Sequence, residues 1–254
     1  MDAPIRLIVT ADDVGLHPGM TAGAIRAHRE GIVTACSVVA SGAAFDDAVS
    51  QLKSVPLLEV GVHLALVEER SLTGMRLPKS YRSFVLGSKD FAAIERELRA
   101  QVERVLASGL RVTHLNGHQH LHMLPSIFAI VVRLAKEYGI GYVRRVLDRG
   151  GRGGPVRRAS IAALNRLGRK AAAPRGNDIT IGVMEAGHLT AARIVALLQH
   201  AEGTTELVTH PGIGVDAYQH WRYAWDLETA ALCDRSVREA IANRGIELIA
   251  PSQV

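Results

Sequence analysis

The chain has 254 residues, 48% of them hydrophobic, and a formal net charge of +5 at pH 7. This length and composition allow one globular domain with a sizeable core. No apolar run approaches the roughly 20 residues of a membrane span, and no apolar leader with a cleavage site opens the sequence. The two cysteines, Cys36 and Cys233, lack the spacing of a disulfide framework or a zinc knuckle. These features predict a soluble, cytoplasmic protein.

The positive charge is concentrated in one segment. Residues 144–176 hold ten basic residues and one acidic residue, a net charge of +9, so the rest of the chain carries −4. A general nucleic-acid binder would instead spread basic side chains over a face, with aromatic residues between them where the ligand is a single strand. The local clustering argues against that class of protein.

Apolar runs bounded by turn residues alternate with segments of helical periodicity. Strands are predicted at IRLIVTA, VTACSVVA, EVGVHLAL, VTHLNGHQ, YVRRV, DITIGV, ELVTHPG and IELIA. Helices are predicted over residues 19–29, 43–52, 91–106, 125–138, 190–200 and 226–243. This alternation predicts a mostly parallel sheet. Because no GxGxxG follows the first strand, the seven or eight strands predict a single (β/α) TIM-like barrel over residues 1–254.

Two adjacent carboxylates, Asp12 and Asp13, end the first predicted strand within VTADDVGLHPG. Adjacent carboxylates repel each other and resist desolvation, so a nearby cation is needed to stabilise them. The alternative is that they cap the helix beginning near Pro18, but a cap lies one residue before the first helical residue. A metal or catalytic site is therefore favoured.

Further polar residues fall at the carboxyl ends of predicted strands, where barrel enzymes carry their chemistry. His63 interrupts VGVHLAL, His118 lies at the end of VTHLNGHQ, and His210 ends ELVTHPG. A lone His63 would be more typical of a hydrogen-bonded core histidine, but its clustering with other strand-end residues favours ligation. One carboxylate and two imidazoles on an open face describe a hydrolytic metal centre with positions for water and substrate.

The run HLNGHQHLH contains four imidazoles and one amide. In an extended chain, the side chains two residues apart share a side of the sheet, namely those of His114, Asn116, His118 and His120. One ion cannot bind all of them. Because the next helix begins soon afterwards, we place His120 and His122 in the loop, where they orient ligands or contact substrate instead of binding the metal.

Four of the eleven aromatic residues lie in DAYQHWRYAW, shortly after His210. Their spacing places Tyr218, Trp221 and Trp225 on one helical face. Such a face is either core or, beside a strand-end histidine, a wall that stacks on a sugar. The second interpretation makes Trp221 and Trp225 substrate-binding residues.

Five stretches together resemble the YdjC/ChbG family of metal-dependent carbohydrate deacetylases, including its hopanoid-associated HpnK branch. They are TADDVGLHPGM, AHREGIVTACSVVASG, VGVHLALVE, THLNGHQHLHMLP and TELVTHPG. The similarity covers residues 5 to about 145 and resumes at ELVTHPG. It implies a (β/α) barrel related to polysaccharide deacetylases, which removes acetyl groups from N-acetylated amino sugars. Matched motif by motif, it also implies metal ligation by Asp13, His63 and His118, a general base at Asp12 and a general acid at His210.

The chain departs from the family pattern at Asn116 and Gly117, where an aspartate and a serine or alanine are common. An asparagine at this place also resembles the HpnK branch. The departure lies beside the ligands, where it affects ligand basicity more than metal binding. The predicted substrate-binding residues are Asn116, His120, His122, Trp221 and Trp225.

These observations predict a metal-dependent hydrolase that removes an acetyl group from an N-acetylated amino sugar, within an oligosaccharide or a lipid-linked or nucleotide-linked glycan. A metal-dependent phosphoesterase is an alternative that the arginine cluster favours, although it would usually need two ions and more carboxylate ligands. A catalytically silent metal-binding protein is another, which Asn116 makes conceivable and the retention of Asp12 opposes. The ligand set suits zinc, magnesium or a first-row divalent ion. The sequence leaves open whether the protein is a homodimer.

Residues 148–176 are interpreted as a basic insertion on the barrel that contains a short helix. In ASIAALNRLGRK, the side chains of Ile161, Leu164 and Leu167 share one side of that helix. A solvated basic helix is one interpretation. Peripheral contact of residues 155–170 with an anionic membrane, or arginine binding of a diphosphate linker, is the other. The second interpretation predicts an anionic or lipid-linked substrate.

Overall fold

The computed structural model describes residues 4–152, 154–170 and 175–254. Its strands are β1 (Arg6–Val14), β2 (Ala35–Val38), β3 (Glu59–Leu64), β4 (Val112–Gly117), β5 (Tyr142–Val143), β6 (Ile179–Ile181), β7 (Thr204–Thr209) and β8 (Glu247–Leu248). Its α-helices are α1 (Pro18–Arg29), α2 (Phe45–Leu52), α3 (Tyr81–Leu86), α4 (Phe91–Ala107), α5 (Pro125–Glu137), α6 (Pro155–Lys170), α7 (Ala191–Leu198), α8 (Trp225–Leu232) and α9 (Arg235–Asn243). Each predicted strand is present, in the predicted order.

Neighbouring strands pair in parallel, in the order β5-β4-β3-β2-β1-β7-β6, and β8 lies beside the first residues of β1. The sheet is curled, which brings Tyr142 in β5 close to Glu206 in β7. The Tyr142 hydroxyl donates a hydrogen bond to Glu206 over 2.7 Å. An isolated bridge between Asp148 and Thr180 joins the chain after β5 to β6. This architecture confirms the predicted α/β class and barrel type.

Apolar side chains form the core between the curled sheet and the helices that cover it. Strand β1 is buried along its length apart from Arg6, as expected for a central parallel strand. In α4 the buried apolar residues recur at helical spacing, at Ile94, Leu98, Val102 and Val105. This period turns one stripe of the helix towards the sheet and leaves the opposite face in solvent.

Helix α1 is capped by a histidine. The ring of His17 accepts a hydrogen bond from the backbone amide of Gly19 over 3.0 Å, and Pro18 is the first helical residue. The alternative that Asp12 and Asp13 cap this helix is therefore wrong. Both aspartates belong to β1, which leaves their carboxylates available for another role.

The helix predicted over residues 226–243 is two helices. Helix α8 ends at Leu232 and α9 begins at Arg235. Between them, the carboxylate of Asp234 accepts a hydrogen bond from the backbone amide of Ser236 over 2.8 Å. An aspartate inside an apolar-periodic run thus serves as the cap of a new helix, which the periodicity alone did not indicate.

Helix α6 occupies most of the predicted basic insertion and lies between β5 and β6 in the chain. It contacts the turns His118–Met123 and Val183–Glu185, which follow β4 and β6. Leu164 is buried and Ile161 packs against the core, whereas Arg158 and Arg166 are exposed. The apolar side chains thus pack on the protein, and membrane contact of this segment stays a prediction that depends on its charge. No helix of the described residues is long and apolar enough to span a membrane.

Close packing of β3 against β4 requires a glycine at position 61. A Cβ atom there would lie 2.3 Å from the ring of His114. We expect Gly61→Ala to lower the free energy of unfolding by about 1–3 kcal/mol, the usual cost of overpacking, as measured by urea denaturation. Gly141→Ala is the control, since a Cβ at Gly141 meets nothing within 4 Å. Equal stability of the two variants would contradict this packing requirement.

Candidate metal centre

The end of β1 points two consecutive carboxylates into one pocket. Side chains of a regular strand alternate between its faces, so neighbours should diverge. Here the register with β2 shifts between Ala11 and Val14, and Asp13 adopts a left-handed φ of +64°. Both Asp12 and Asp13 consequently line the same pocket. Left-handed backbone is unfavourable for a residue with a side chain, and such strain is concentrated at functional sites.

Asp13, His63 and His118 form a cluster with the chemistry of a metal site. One potential ligand atom from each lies within 4.8 Å of the others, and all three side chains are buried. Oδ1 of Asp13 is 3.3 Å from Nε2 of His63 and 3.1 Å from Nδ1 of His118. One carboxylate oxygen and two imidazole nitrogens are donors that a divalent first-row ion accepts. The residues present therefore fit the implied ion.

Asn116 orients one imidazole of this cluster. Nδ1 of His63 donates to the Asn116 side-chain oxygen over 2.7 Å, which leaves Nε2 directed at Asp13. The Asn116 amide nitrogen donates to Ser37 over 2.6 Å and to Asp12 over 3.1 Å. Asn116 is fully buried and does not line the pocket, so the structure does not place it against substrate as predicted. The asparagine still provides the acceptor that fixes the tautomer of His63.

Asp12 is held by a buried arginine that sequence reasoning missed as a site residue. Arg144 donates to Oδ2 of Asp12 over 2.6 Å and to Oδ1 over 2.9 Å. Although burial opposes ionisation of Asp12, the charge of Arg144 holds the pKa of this carboxyl well below its ordinary value. The available signal was an arginine inside the apolar strand run YVRRV, which is unusual unless the side chain is paired.

Arg144 has a second carboxylate partner. Its guanidinium lies 2.8 Å from Oε1 of Glu206, and both side chains are fully buried. Glu206 also accepts hydrogen bonds from the hydroxyls of Thr10 and Tyr142, each over 2.7 Å. Arg144, which follows β5, thereby pairs inside the barrel with Asp12 of β1 and Glu206 of β7, as buried charges must be paired.

His210 faces the cluster from the end of β7. Its Nε2 lies 4.0 Å from Oδ2 of Asp13, and its ring packs edge-on against Tyr223. Nδ1 lies 3.9 Å from Glu228 and has no hydrogen-bond partner in the described part of the chain. Burial raises the pKa of Glu228 to about 8, and this residue also accepts a hydrogen bond from the His210 backbone amide. Glu228, which lies within α8, was not among the predicted site residues.

The two loop histidines have different positions. The chain turns after β4 through a short helix, His118–Met123, in which His120 has a left-handed φ of +57°. His120 lines the pocket, and its contact with substrate stays a prediction. His122 instead lies outside the pocket lining, and its Nε2 donates to the backbone carbonyl of Arg144 over 3.1 Å. It therefore supports Arg144, and the structure does not place it at substrate.

The aromatic segment is not the helical face that its spacing predicted. Tyr218 and Arg222 both have left-handed φ angles and flank a single turn, Gln219–Trp221. The backbone thus changes direction at both ends of this turn, so i, i+3 and i+4 spacing does not define a common face.

The side chains of this segment accordingly separate. Trp225 is buried in a cluster with Leu16 and Met20, so the structure places it in the core and not at substrate. The Trp221 ring lies 5.3 Å from the ring of His118. Tyr223, which was not among the predicted substrate-binding residues, lines the pocket.

The pocket has a volume of about 180 Å³ and two chemically different sides. The cluster residues and His210 form a polar side. Ile161 of α6, Val183 and Ala186 form an apolar side. No lysine or arginine is found among the lining residues that the structure describes. Such a surface suits a small group that is partly apolar and carries no negative charge.

Fold and site together define a (β/α) barrel protein with a candidate metal centre at the carboxyl ends of its strands. The chain belongs to the family of YdjC-like proteins, whose model matches residues 6–243. This membership confirms the resemblance seen in the sequence motifs. It also extends the similarity across the basic segment between β5 and β6, which those motifs left uncovered.

Two curated relatives are carbohydrate deacetylases. The protein from Brevibacillus brevis is 38% identical over 148 residues, which are 54% of this chain and 58% of the relative. The protein from Oceanobacillus iheyensis is 35% identical over 147 residues, 54% of this chain and 63% of the relative. The matches therefore span less than two thirds of the length of these relatives.

Solved structures share the fold at low sequence identity. A candidate cellobiose-phosphate cleavage protein from Enterococcus faecalis V583 has a TM-score of 0.79 and 23% identity, and 99% of each chain is covered. A family 4 carbohydrate esterase from Streptomyces lividans, in complex with acetate, has a TM-score of 0.50 and 11% identity over 98% of this chain and 95% of that chain. At these identities, the similarity supports the fold alone.

The cluster geometry predicts which histidine substitutions remove a metal ion. We expect His63→Ala and His118→Ala each to abolish stoichiometric binding of one divalent ion per chain, because each removes one of three ligands. Metal analysis after dialysis against a zinc or manganese salt measures the content. His120→Ala is the matched control, since His120 lies in the same turn but outside the cluster. Full occupancy in both ligand variants would contradict the assignment.

Proposed function

We propose that this protein is a metal-dependent hydrolase that removes the acetyl group from an N-acetylated amino sugar. The observation that carries this proposal is the different surroundings of Asp12 and Asp13. Asp13 lies in the cluster with His63 and His118, whereas Asp12 lines the same pocket but is held by Arg144. One carboxylate can bind an ion while its neighbour accepts a proton. The carbohydrate deacetylases among the relatives support the substrate class.

The two oxygens of Asp12 are not equivalent. Oδ1 accepts hydrogen bonds from Arg144, Ser37 and Asn116, over 2.9, 2.9 and 3.1 Å. Among the residues that the structure describes, only Arg144 donates to Oδ2, over 2.6 Å. A carboxylate oxygen has two lone pairs, so Oδ2 keeps one for a further proton. We assign to Oδ2 the uptake of the proton from the attacking water.

His210 is assigned the protonation of the departing amine. Its Nε2 is the ring nitrogen that faces the cluster, 4.0 Å from Oδ2 of Asp13. Burial lowers the pKa of His210, so its protonated form is a strong acid, and the ring must take up a proton before the amine departs. Asp12 and His210 thus supply a base and an acid that line one pocket, as amide hydrolysis requires.

The metal ligands are assigned to Asp13, His63 and His118. A divalent ion held there would supply Lewis acidity towards a carbonyl group and a water molecule. Buried Asn116 keeps the His63 ring in the orientation that this role requires. Zinc, magnesium and first-row divalent ions all suit this donor set.

The apolar side of the pocket is assigned to the acetyl methyl group. Ile161, Val183 and Ala186 provide a surface of the right chemistry, and His120 and Tyr223 are the polar and aromatic residues beside it. A phosphoryl group would be expected to meet arginine or lysine, which the described lining lacks. This difference favours an acyl group over a phosphate ester.

A substrate screen tests the proposed function directly. N-acetylated amino sugars in free, oligomeric, nucleotide-linked and lipid-linked form are incubated with the protein, and acetate release is measured with and without chelator. We expect release that a chelator abolishes and added metal restores. Phosphate release from phosphate esters, with no acetate release from any sugar, would instead support a phosphoesterase.

Asp12→Asn tests the assigned base. We expect kcat to fall by roughly 10²–10⁴-fold, the usual contribution of a positioned base, while metal content is retained. Asp46→Asn is the control, because it makes the same change at an exposed aspartate outside the pocket lining. A similar loss of kcat in both variants, or activity of Asp12→Asn within a few fold of the parent, would contradict the role. His210→Ala should behave like Asp12→Asn, with a smaller loss if solvent protonates the amine.

The exposed arginines of α6 test whether the substrate is anionic. We expect Arg158→Gln combined with Arg166→Gln to raise KM for a lipid-linked or diphosphate-linked substrate and to flatten its salt dependence, because screened charge attraction is lost. Turnover of a neutral acetamido sugar should not change. Arg29→Gln combined with Arg111→Gln removes the same charge from other exposed positions and is the control. Equal effects on both substrates would leave α6 as a solvated basic helix.

A further inference from the structure

A carboxylate outside the metal cluster contacts both the cluster and the aromatic segment. Glu68 follows β3, has a left-handed φ of +66°, and its side chain is 17% exposed. Oε2 lies 3.4 Å from Nε2 of His118 and accepts the indole N–H of Trp221 over 3.1 Å. Oε1 accepts the side-chain amide of Gln119 over 2.7 Å. One acidic side chain therefore joins the chain after β3 to the loops after β4 and β7.

The first consequence concerns the metal ligand. His118 has a carboxylate on each side of its ring, with Asp13 at Nδ1 and Glu68 at Nε2. A carboxylate accepts but cannot donate, so Glu68 holds a proton on Nε2, and Nδ1 is the nitrogen that would bind an ion in the cluster. An acceptor behind a ligand imidazole also raises its basicity, and loss of such a partner typically weakens metal binding.

The second consequence concerns the aromatic segment. Trp221 lies against the His118 ring, with ring centres 5.3 Å apart and planes inclined by 35°. Its indole packs between Tyr218 and Tyr223, at ring distances of 4.7 and 5.6 Å. Tyr218, Trp221 and Tyr223 together form an aromatic wall. Tyr223 lines the pocket, so the position of Trp221 helps to fix this wall at the pocket. The hydrogen bond to Glu68 is the polar contact that anchors the indole.

We propose that Glu68 is a positioning residue that couples metal binding at Asp13, His63 and His118 to the order of the aromatic wall at Trp221. The coupling rests on the proposed metal site. Since His118 and Trp221 share one carboxylate oxygen, an ion that fixes the His118 ring also fixes the acceptor of the indole. Metal binding then orders the wall, and the ordered wall favours the metal-bound position of His118, because such coupling is reciprocal.

The neighbouring acid offers a matched comparison. Glu69 accepts the hydroxyl of Tyr218 over 3.2 Å, and no hydrogen bond from a metal-cluster residue to Glu69 is found in the described part of the chain. It thus contacts the same aromatic segment without contacting the cluster. Glu69→Gln removes a carboxylate from the same loop and leaves the shared oxygen of Glu68 in place.

The fluorescence of Trp221 provides a readout that does not need catalysis. The chain has two tryptophans, and Trp225 is buried away from the pocket lining. In a Trp225→Phe background, the metal-free protein is titrated with zinc or cobalt against a competing chelator, and metal affinity and Trp221 emission are followed together. Should Trp225→Phe fail to fold, the same titration uses the unsubstituted tryptophans and reads the metal-dependent difference in emission.

We expect the parent protein to show a metal-dependent change in Trp221 emission. Glu68→Gln, which keeps the shape of the side chain and removes its charge, should weaken metal binding by roughly 10–100-fold. Glu68→Ala should also remove most of the metal-dependent emission change. Glu69→Gln should keep the affinity of the parent within about threefold and keep the emission change.

Three outcomes overturn the proposal in different ways. If the parent binds metal and both Glu68 variants match it in affinity and emission change, the coupling through Glu68 is wrong and the proposed function is untouched. If the parent binds no divalent ion, the proposed metal site and this coupling both fail. A loss of affinity in Glu69→Gln as large as in Glu68→Gln would show a general charge effect instead of a specific contact.

Discussion

The buried pairing of Arg144 with Asp12 and Glu206 is the interaction on which the site depends. The guanidinium is fully buried, and it lies within hydrogen-bond distance of carboxylates from β1 and β7. An unpaired charge inside a protein is costly, and removing one partner of a buried pair is strongly destabilising. The three side chains therefore fix one another, and with them the relative positions of the strands. His122 adds a hydrogen bond to the Arg144 carbonyl, so the loop after β4 is tied to the same residue.

This pairing also explains how two neighbouring carboxylates coexist at the end of β1. Two carboxylates this close repel each other unless each has its own neutralising partner. Arg144 neutralises Asp12 from inside the barrel, whereas imidazoles surround Asp13 at the pocket. The left-handed φ of Asp13 and the shifted register with β2 bring both carboxylates to one pocket, where each keeps its own partners. Local backbone strain is thus compensated by contacts that a regular strand could not make.

Much of the fold was predictable because burial and periodicity are local properties. Strands, most helices and the strand-end positions of Asp13, His63 and His118 follow from runs of a few residues. The partners of these residues are not local. Arg144 and Asp12 are 132 positions apart, and Arg144 was counted in a basic segment because its carboxylate partners, Asp12 and Glu206, are remote from it in sequence.

Turn geometry was the other limit of the sequence. The left-handed residues that flank the turn after β7 redirect its side chains, so spacing placed Trp221 and Trp225 on a face that does not exist. Glu68 was overlooked for the same reason, since its three hydrogen bonds depend on a loop conformation after β3. Residue types indicated the kind of chemistry, whereas backbone direction decided which side chains take part.

Asn116 has a consequence for protons as well as for geometry. It lies between His63 and Asp12, accepting from one and donating to the other. A side-chain amide neither gains nor loses a proton in the range where these groups titrate. Asn116 therefore holds His63 and Asp12 in place without transferring a proton between them. An aspartate at the same point would add a negative charge beside Asp12 and a titratable group between His63 and Asp12. With asparagine, the proton that Asp12 accepts in the proposed function would not pass to His63 through this link.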